Sequence, residues 1–410
     1  MRSRRFTLIV VIVAILLDIY VFQAIKTITQ GMPTRWRTIV FSTYWGLSVV
    51  ALATLIILPY LHWQYMRVNS YLMAIIFGIY IAKLLTVAFL LVDDTRRLIR
   101  WVIARFSTTA AGPDEDAISR SVFLSWLGLG LGTGVFGSLL YGFGNKYNYK
   151  LHRVRMAFEN LPASFKGLKI IQISDIHSGS LANPEAVNKG IDLILAEKPD
   201  LILFTGDLVN DLATEVKDYK AIFGRLEAPM GVFSVLGNHD YGDYVWWETP
   251  ELKEANLDHL RQIQQEMGWR LLMNEHVVLQ RGEGQIALIG IENWSAKARF
   301  PKYGRMDLAC PGTEKYPFKI LMSHDPSHWD AEVRPQYPDI DLMLSGHTHG
   351  MQYGVELPGF KWSPVQFLYK QWAGLYQEGR QRLYVNRGYG FIGYPGRFGI
   401  LPEITVIELA

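Results

Sequence analysis

Hydrophobic residues are distributed in two different ways along the 410 residues of this chain. Up to about residue 145 they form four long segments with few charges, at about 6–25, 38–60, 70–92 and 121–143. Each segment is close to the ~20 residues that a helix needs to cross a bilayer core. The first could be a signal peptide, but no small-residue cleavage site follows it and three similar segments do. The pattern therefore predicts four transmembrane helices.

From about residue 150 the apolar runs become short, and longer polar segments separate them. Five runs have the length and composition of buried strands: 170–173, 201–204, 232–236, 320–322 and 342–344. Residues 184–197 instead carry apolar side chains at helical spacing, and residues 381–409 contain two closing strands. Strands that alternate with helices predict an α/β domain of stacked sheets with helices outside.

Polar residues that can bind metal ions follow all five of these strands. They are Asp175 and His177, then Asp207, then Asn238 with His239 and Asp240, then His324, and finally His347 and His349. Ligands bind α/β sheets at the carboxyl ends of the strands, so these residues are predicted to form one site. Carboxylates, amide oxygens and imidazoles suit Mn²⁺, Fe, Zn²⁺ or Mg²⁺.

Composition and charge exclude several other classes of protein. The net charge is +3 and no block of lysines and arginines is present, so a nucleic-acid partner is not expected. Cys310 is the one cysteine, which excludes an internal disulfide and a thiolate metal cluster. The composition indicates the lipid bilayer as a partner and gives no indication of protein partners.

Two charged residues fall inside predicted transmembrane helices. Asp18 and Lys83 lie near the middle of the first and third segments, which cross in the same direction, so they are predicted to pair at one depth. The alternative is that Asp18 meets a hydroxyl or water while Lys83 extends towards the interface. Residues 95–106 alternate apolar and basic side chains, which indicates either a separate helix in the headgroup region or a solvated connector.

The orientation of the chain in the membrane depends on its basic residues. Four spans place both termini on one side, and eight basic residues near the membrane fall on each side. The positive-inside rule therefore gives a tie, but Arg2, Arg4 and Arg5 precede the first helix, which usually dominates. We expect a cytoplasmic N-terminus and a cytoplasmic C-terminal domain.

The ordered motifs resemble those of the calcineurin-like metallophosphoesterases, which carry D-x-H, G-D, G-N-H-D/E, H and G-H-x-H. The resemblance covers roughly residues 165 to 410, and Gly-His-Thr-His-Gly-Met-Gln is similar to the bacterial membrane-associated branch. It implies a β-sandwich flanked by helices in αββα layers, after the four-helix membrane domain. The predicted limits are 1–145 for the transmembrane domain, 146–164 for a linker and first strand, and 165–410 for the phosphoesterase domain.

The resemblance also implies two divalent metal ions and a role for each motif residue. One ion would be held by Asp175, His177 and His349, the other by Asn238, His324 and His347, with Asp207 between them. His239 would protonate the leaving oxygen, and Asp240 would hold the His239 imidazole. Arg387 would either reach a phosphate or form a structural ion pair.

Two metal ions neutralise the charge of a phosphate ester and generate hydroxide near neutral pH. The predicted function is a membrane-anchored phosphohydrolase acting on a phosphate ester or pyrophosphate. Tryptophans and tyrosines cluster at 241–247 and again at 361–372, where Lys361 and Lys370 accompany them. Such clusters are typical of a membrane interface or of core packing, and a membrane interface would favour a lipid substrate. The alternatives are an enzyme for soluble nucleotides that uses its helices as an anchor, and a sensor or transporter with a vestigial domain.

Overall fold

The computed structural model describes residues 4–57, 66–106 and 115–410 and divides the chain into two compact units, Met1–Tyr141 and Gly142–Ala410. The first unit has helices α1 Arg4–Ile28, α2 Thr34–Ile57, α3 Met66–Phe106 and α4 Glu115–Gly142. All four are long and apolar enough to cross a membrane, which confirms the prediction. Residues 58–60 of the second predicted segment and the side chains of Arg2, Arg4 and Arg5 lie outside the described structure.

Helix α3 differs from the prediction. It continues through residues 95–106 without a break, so these residues are helical, as one of the two alternatives predicted, but they extend the third transmembrane helix and do not form a separate element. Its 41 residues span about 60 Å, roughly twice the thickness of a bilayer core. The helix tolerates Asp93 in its middle because Arg97, one turn later, pairs with that carboxylate at 2.9 Å and Ser121 of α4 donates to it at 2.6 Å.

The predicted pairing of Asp18 with Lys83 is confirmed. The Lys83 ammonium contacts the Asp18 carboxylate, which is fully buried, and so joins α1 to α3. Ser48 of α2 donates to the same carboxylate oxygen at 2.9 Å, and Tyr80 donates to the other at 3.2 Å. The hydroxyl contact that was the alternative for Asp18 thus occurs together with the ion pair. Both oxygens of the buried Asp18 carboxylate accept hydrogen bonds, which offsets part of the cost of burying its charge.

We expect Asp18→Asn and Lys83→Met each to destabilise the helical unit by about 3–5 kcal/mol, because each leaves the partner charge buried and unpaired. The measurement is thermal unfolding of the full chain in detergent micelles. The double variant should recover part of the loss, since neither charge remains. Lys26→Met, at an exposed position of α1, is the control. Losses that simply add in the double variant would contradict a direct pair.

The second unit contains fourteen strands and five helices. The strands are β1 Lys150–Met156, β2 Lys169–Ile173, β3 Leu201–Phe204, β4 Val232–Ser234, β5 Trp269–Leu271, β6 Glu275–Arg281, β7 Gly284–Gly290, β8 Lys319–Met322, β9 Leu342–Ser345, β10 Val355–Leu357, β11 Phe360–Trp362, β12 Gly374–Glu378, β13 Gln381–Val385 and β14 Glu403–Leu409. The helices are α5 Pro184–Ala196, α6 Lys220–Phe223, α7 Pro250–Glu266, α8 Met306–Ala309 and α9 Arg334–Gln336.

These strands form two six-stranded sheets and one small hairpin. The first sheet has the order β1-β14-β2-β3-β4-β5 and the second the order β12-β13-β9-β8-β7-β6, while β10 pairs with β11. Strands β2 to β5 are parallel, as are β7, β8, β9 and β13. Strand β1, in the segment predicted as a linker and first strand, pairs along its whole length with β14.

Successive side chains along each strand point to opposite faces of its sheet, and they form three layers of hydrophobic core. Ile170 and Leu203 of the first sheet pack with Ile320 and Leu344 of the second, so the sheets face each other. On the other side of the first sheet, helices α5 and α7 bury apolar residues such as Ile191. Trp329 and the helix α8 cover the outer face of the second sheet. These layers confirm the predicted αββα sandwich.

The carboxyl ends of β2, β3, β8 and β9 meet at one edge of the sandwich. Gln172 of β2 donates to the Ser345 carbonyl at 2.9 Å, and the ring of His324 is 2.8 Å from the Thr205 carbonyl. Both bonds join the first sheet to the second. The loops after these four strands therefore converge, because hydrogen bonds between the sheets fix their relative position.

Candidate metal centre

One group of potential ligands consists of Asp175, His177 and His349, all of them buried. The Nε2 atoms of the two histidines face each other at 3.0 Å, and His349 Nε2 is 3.2 Å from Asp175 Oδ1. Two imidazole nitrogens and a carboxylate oxygen that converge in this way form a donor set for a divalent cation. This is the set that the sequence motifs assigned to one ion.

A second group consists of Asp207, His324 and His347. Asp207 Oδ2 lies 3.1 Å from His324 Nε2 and 3.6 Å from His177 Nε2, between the two groups. The Thr205 carbonyl accepts from His324 Nδ1, which leaves Nε2 for a metal, and such partners orient metal-binding histidines. His347 is fixed in a similar way, since its Nε2 is 2.8 Å from the Tyr369 hydroxyl.

Asn238 is the remaining predicted ligand. Its Nδ2 donates to the Tyr244 hydroxyl at 2.8 Å, which orients the amide. Its Oδ1 is buried and has no hydrogen-bond partner among the described residues. A buried acceptor without a partner is costly, and a cation would satisfy it. The residues present therefore fit two divalent ions.

Burial and the charges of neighbouring groups shift the pKa values of these residues. Burial alone would raise the pKa of Asp207, but His324 and His239 outweigh it and hold that pKa well below its ordinary value. Burial would lower the pKa of His324, yet the Asp207 carboxylate raises it to about 10. Burial dominates at His177 and His347 and lowers the pKa of both. The shifts of Asp207 and His324 thus reflect the attraction between a buried imidazole and a buried carboxylate, and a cation would neutralise the same carboxylate.

We expect metal affinity to rise about tenfold per pH unit between about pH 6.5 and 8.5. Metal binding needs a neutral imidazole, and His324 is protonated below its pKa of about 10, whereas His177 and His347 have lowered pKa values. One proton should therefore leave as the second ion binds. Calorimetric titration with Mn²⁺ in buffers of different ionisation enthalpy measures the number of protons released per bound ion. His259→Ala, at an exposed position of α7, is the control and should show the same dependence of metal affinity on pH. A metal affinity that does not change with pH would contradict the assignment of His324 as a ligand.

The backbone at the site has an uncommon conformation. Five predicted ligands have positive φ: Asp175 at 52°, His177 at 50°, Asp207 at 62°, His347 at 71° and His349 at 51°. Gly206, with φ of 99°, allows the close approach of Gly237, since a Cβ there would lie 2.5 Å from the Gly237 nitrogen. These tight turns point several side chains from one strand end into the same small volume.

The prediction that Asp240 holds the His239 imidazole is wrong. His239 Nδ1 lies 2.7 Å from the Asn210 carbonyl, to which it donates. Asp240 instead accepts from four backbone N–H groups, at 2.8–3.3 Å, those of Asp207, Leu208, Val209 and Gly237. Asp240 therefore organises the loops around the site, and a backbone carbonyl orients His239.

Arg387 does not reach the site, so its predicted contact with a phosphate is wrong. Its guanidinium pairs with Glu403 at 2.6 Å and Glu356 at 2.5 Å, and the side chain is buried. Burial opposes ionisation of Glu403, but Arg387 outweighs it and lowers the pKa of Glu403 to about 2. The structural ion pair, considered as the alternative, is what the structure contains.

A cavity of about 230 Å³ opens onto the two ligand groups. The lining includes six residues of the predicted site: His177, Asp207, Asn238, His239, His347 and His349. Thr348 and Met351 of the motif Gly-His-Thr-His-Gly-Met-Gln also line it. The remaining lining residues belong to none of the metal-binding motifs, because they come from segments distant in sequence: Arg299, Phe300, Val365, Leu368, Tyr369 and Ile392.

Comparison with known proteins identifies the family of both units. The sequence model for "Probable Calcineurin-like phosphoesterase, transmembrane domain" matches residues 3–145, and "Calcineurin-like phosphoesterase" matches residues 168–351. Phosphodiesterase YaeI of Escherichia coli is 30% identical over 265 residues, which cover 64% of this chain and 88% of YaeI.

Two further relatives differ in how much of their length is matched. UDP-2,3-diacylglucosamine pyrophosphatase LpxG of Chlamydia trachomatis is 28% identical over 325 residues, covering 66% of this chain and 93% of LpxG. A transmembrane protein with metallophosphoesterase domain from Danio rerio is 29% identical over 267 residues, covering 63% of this chain. The match spans only 57% of the Danio rerio protein.

Proposed function

Because this chain belongs to the calcineurin-like metallophosphoesterases and carries four membrane-spanning helices, we propose that it hydrolyses a phosphate ester or pyrophosphate of a lipid. The family membership makes it a metal-dependent phosphoesterase. The proposal adds the dinuclear centre, the roles of individual residues and the lipid nature of the substrate.

The observation that carries the lipid proposal is the mixed lining of the cavity. The same cavity presents predicted metal ligands for a phosphoryl group and the apolar side chains of Met351, Val365, Leu368 and Ile392. A substrate that contacts both kinds of residue is amphipathic. The cavity of about 230 Å³ is smaller than the ~300–1,000 Å³ of pockets that enclose a whole drug-sized ligand. We infer that it takes the phosphorylated part and leaves most of the apolar part outside.

The rim of the cavity supports the same proposal. Leu368, which lines the cavity, is 55% exposed, and the adjacent Phe367 is 78% exposed. Exposed large apolar residues that continue an apolar cavity wall mark a binding surface. Only part of the aromatic segments predicted for a membrane interface behaves in this way, since Tyr241, Tyr369 and Trp372 are buried.

The proposed division of roles follows from the contacts. Asp175, His177 and His349 would hold one divalent ion, and Asn238, His324 and His347 the other, with Asp207 contributing to both. Two ions held there would clamp the phosphoryl oxygens and supply a hydroxide nucleophile. His239 donates its Nδ1 proton to the Asn210 carbonyl, so its Nε2 is the atom that would give a proton to the leaving oxygen.

The proposal is tested with the purified full chain and Mn²⁺. Phosphatidylcholine vesicles that contain phosphatidic acid or a diacylglucosamine nucleoside diphosphate provide the lipid substrates, and nucleotides and bis(p-nitrophenyl) phosphate provide the soluble ones. We expect kcat/KM for a lipid to exceed that for the soluble compounds. Faster turnover of nucleotides or soluble diesters would support the alternative of a soluble substrate, and no turnover of any compound would support a vestigial domain.

A substitution in the cavity wall separates binding of the apolar part from chemistry. Leu368→Asp should raise KM for the vesicle substrate and leave hydrolysis of p-nitrophenyl phosphate unchanged. Leu193→Asp, at an exposed position of α5, is the matched control. Equal effects of Leu368→Asp on both substrates would argue against the apolar wall as a lipid-binding surface.

We also propose that the catalytic unit lies on the cytoplasmic side, on the basis of the arginines before the first helix. Protease accessibility in inverted and right-side-out membrane vesicles tests this orientation. Digestion of the catalytic unit in right-side-out vesicles would overturn it.

A further inference from the structure

One cation in the cavity wall has no role in the site described so far. The side chain of Arg299 lines the same cavity as Asp207, Asn238 and His347. Over the described ranges, the structure gives its guanidinium no carboxylate partner within ion-pair distance. An unpaired arginine beside a phosphate-binding site is a ready partner for an anionic group, because its planar fork matches phosphate oxygens.

Arg299 is an exposed residue whose side chain contacts a ring next to the site. Its guanidinium lies 4.5 Å from the centre of the Phe300 ring. Phe300 in turn packs edge-on against His347, with ring centres 4.8 Å apart. Arg299 also lines the same cavity as Tyr369, whose hydroxyl is 2.8 Å from His347 Nε2. Arg299 therefore lies close to the second ligand group.

The surroundings favour an anionic partner. Lys297 lies over the Tyr369 ring at 5.2 Å, and Lys302 over Trp294 at 4.3 Å, so three cations occur within residues 297–302. Three acidic groups lie near this segment: Asp243 pairs with Lys253, Glu292 accepts from Tyr241 at 3.2 Å, and Asp325 Oδ2 lies 3.4 Å from His347 Nε2. The segment is therefore a local excess of positive charge at the edge of the cavity.

We propose that Arg299 binds the second phosphate of a pyrophosphate-linked substrate while the first occupies the two ligand groups. This inference rests on the proposed function and narrows its substrate class. A lone phosphomonoester fills only the ligand groups, whereas a P–O–P linkage places a second anionic phosphate next to the first. Arg299 would then distinguish phosphoanhydrides from monoesters.

The reaction balances with water as the only co-reactant. Water oxygen forms a bond to one phosphorus, and the bond between that phosphorus and the bridging oxygen breaks. The bridging oxygen leaves with the electron pair as part of the phosphate bound to Arg299, and it takes a proton from His239. A proton from the attacking water then restores the protonated form of His239. The products are two phosphomonoesters. Arg299 stabilises the charge that develops on the leaving phosphate.

The test compares Arg299→Gln with Arg299→Lys in the full chain. Two pairs of substrates are used. In each pair, the same organic group is supplied once as a phosphomonoester and once as a pyrophosphate diester. The organic group is a lipid in one pair and a soluble group in the other. We expect Arg299→Gln to lower kcat/KM for the pyrophosphates by about 10- to 100-fold and for the monoesters by less than about twofold. Arg299→Lys should recover part of the loss. Methylenediphosphonate should bind the Arg299→Gln variant more weakly by a similar factor, while inorganic phosphate should bind equally well.

Arg382→Gln is the matched control, because Arg382 also lies over a phenylalanine ring, at 4.3 Å, but at the amino end of β13. Equal losses on monoesters and pyrophosphates, or no loss on either, would overturn the role of Arg299. Failure of the wild type on both lipids but not on the soluble pair would refute the lipid proposal alone. The soluble pair would still decide the role of Arg299.

Discussion

The Asp207→Asn variant should lose metal-dependent phosphoesterase activity by roughly 10³-fold or more, and it should bind less metal. Asp207 Oδ2 lies between the two ligand groups, 3.1 Å from His324 and 3.6 Å from His177. Asparagine has a similar shape but removes the negative charge that offsets two divalent ions. The measurements are kcat/KM with Mn²⁺ and metal content by elemental analysis.

A matched control separates loss of charge from loss of fold. Asp192→Asn changes an exposed carboxylate that pairs with Arg225, and it should leave both measurements unchanged. Circular dichroism should show that the Asp207→Asn variant is folded. Retained activity with two bound metal ions per chain would refute the assignment of Asp207 between the ions.

The second large effect concerns His239. We expect His239→Ala to keep both metal ions and to slow hydrolysis by roughly 10²–10⁴-fold, because the leaving oxygen loses its proton donor. The loss should shrink for substrates with good leaving groups, such as p-nitrophenyl esters, which need little protonation. The measurement is kcat for a series of esters whose leaving groups differ in pKa.

The outcome depends on the slope of rate against leaving-group pKa. A steeper slope in His239→Ala than in the wild type supports proton donation, whereas parallel slopes would indicate that His239 only positions the substrate. His259→Ala serves as the control, since His259 is exposed on α7 and away from the predicted motifs. Loss of metal from His239→Ala would identify the residue as a ligand and contradict its proposed role.

The parts of the fold that sequence could predict are those set by local patterns. Apolar runs that end in Asp, Asn or His revealed the strands and the residues at their carboxyl ends, and helical spacing revealed α5 between 184 and 196. The length of α3 was missed because hydropathy falls at Asp93. Its charge is satisfied by Arg97 and by Ser121 on another helix, and a local pattern does not contain that second contact.

The parts of the site that were missed depend on partners distant in the chain. Asn210, whose carbonyl orients His239, is 29 residues away, and Glu403, which pairs with Arg387, is 16 residues away. Motif order identifies residue types but not which acceptor a given side chain meets. Arg299 belongs to no motif, and only the folding of its loop against His347 through Phe300 brings it to the cavity.

The positive φ angles of the predicted ligands lower the stability of the protein at the residues that its activity requires. Positive φ costs roughly 1–2 kcal/mol at a residue with a side chain, so the five positions together cost an amount comparable to the whole free energy of unfolding of a typical domain. Glycine at His177, His347 or His349 would relieve this strain and make the metal-free protein harder to unfold as its activity disappeared. Glycine at Asp175 or Asp207 would instead leave the backbone N–H of His347 or His239 without its acceptor. Selection for thermal stability alone would therefore remove the three histidines, and selection for hydrolysis retains them.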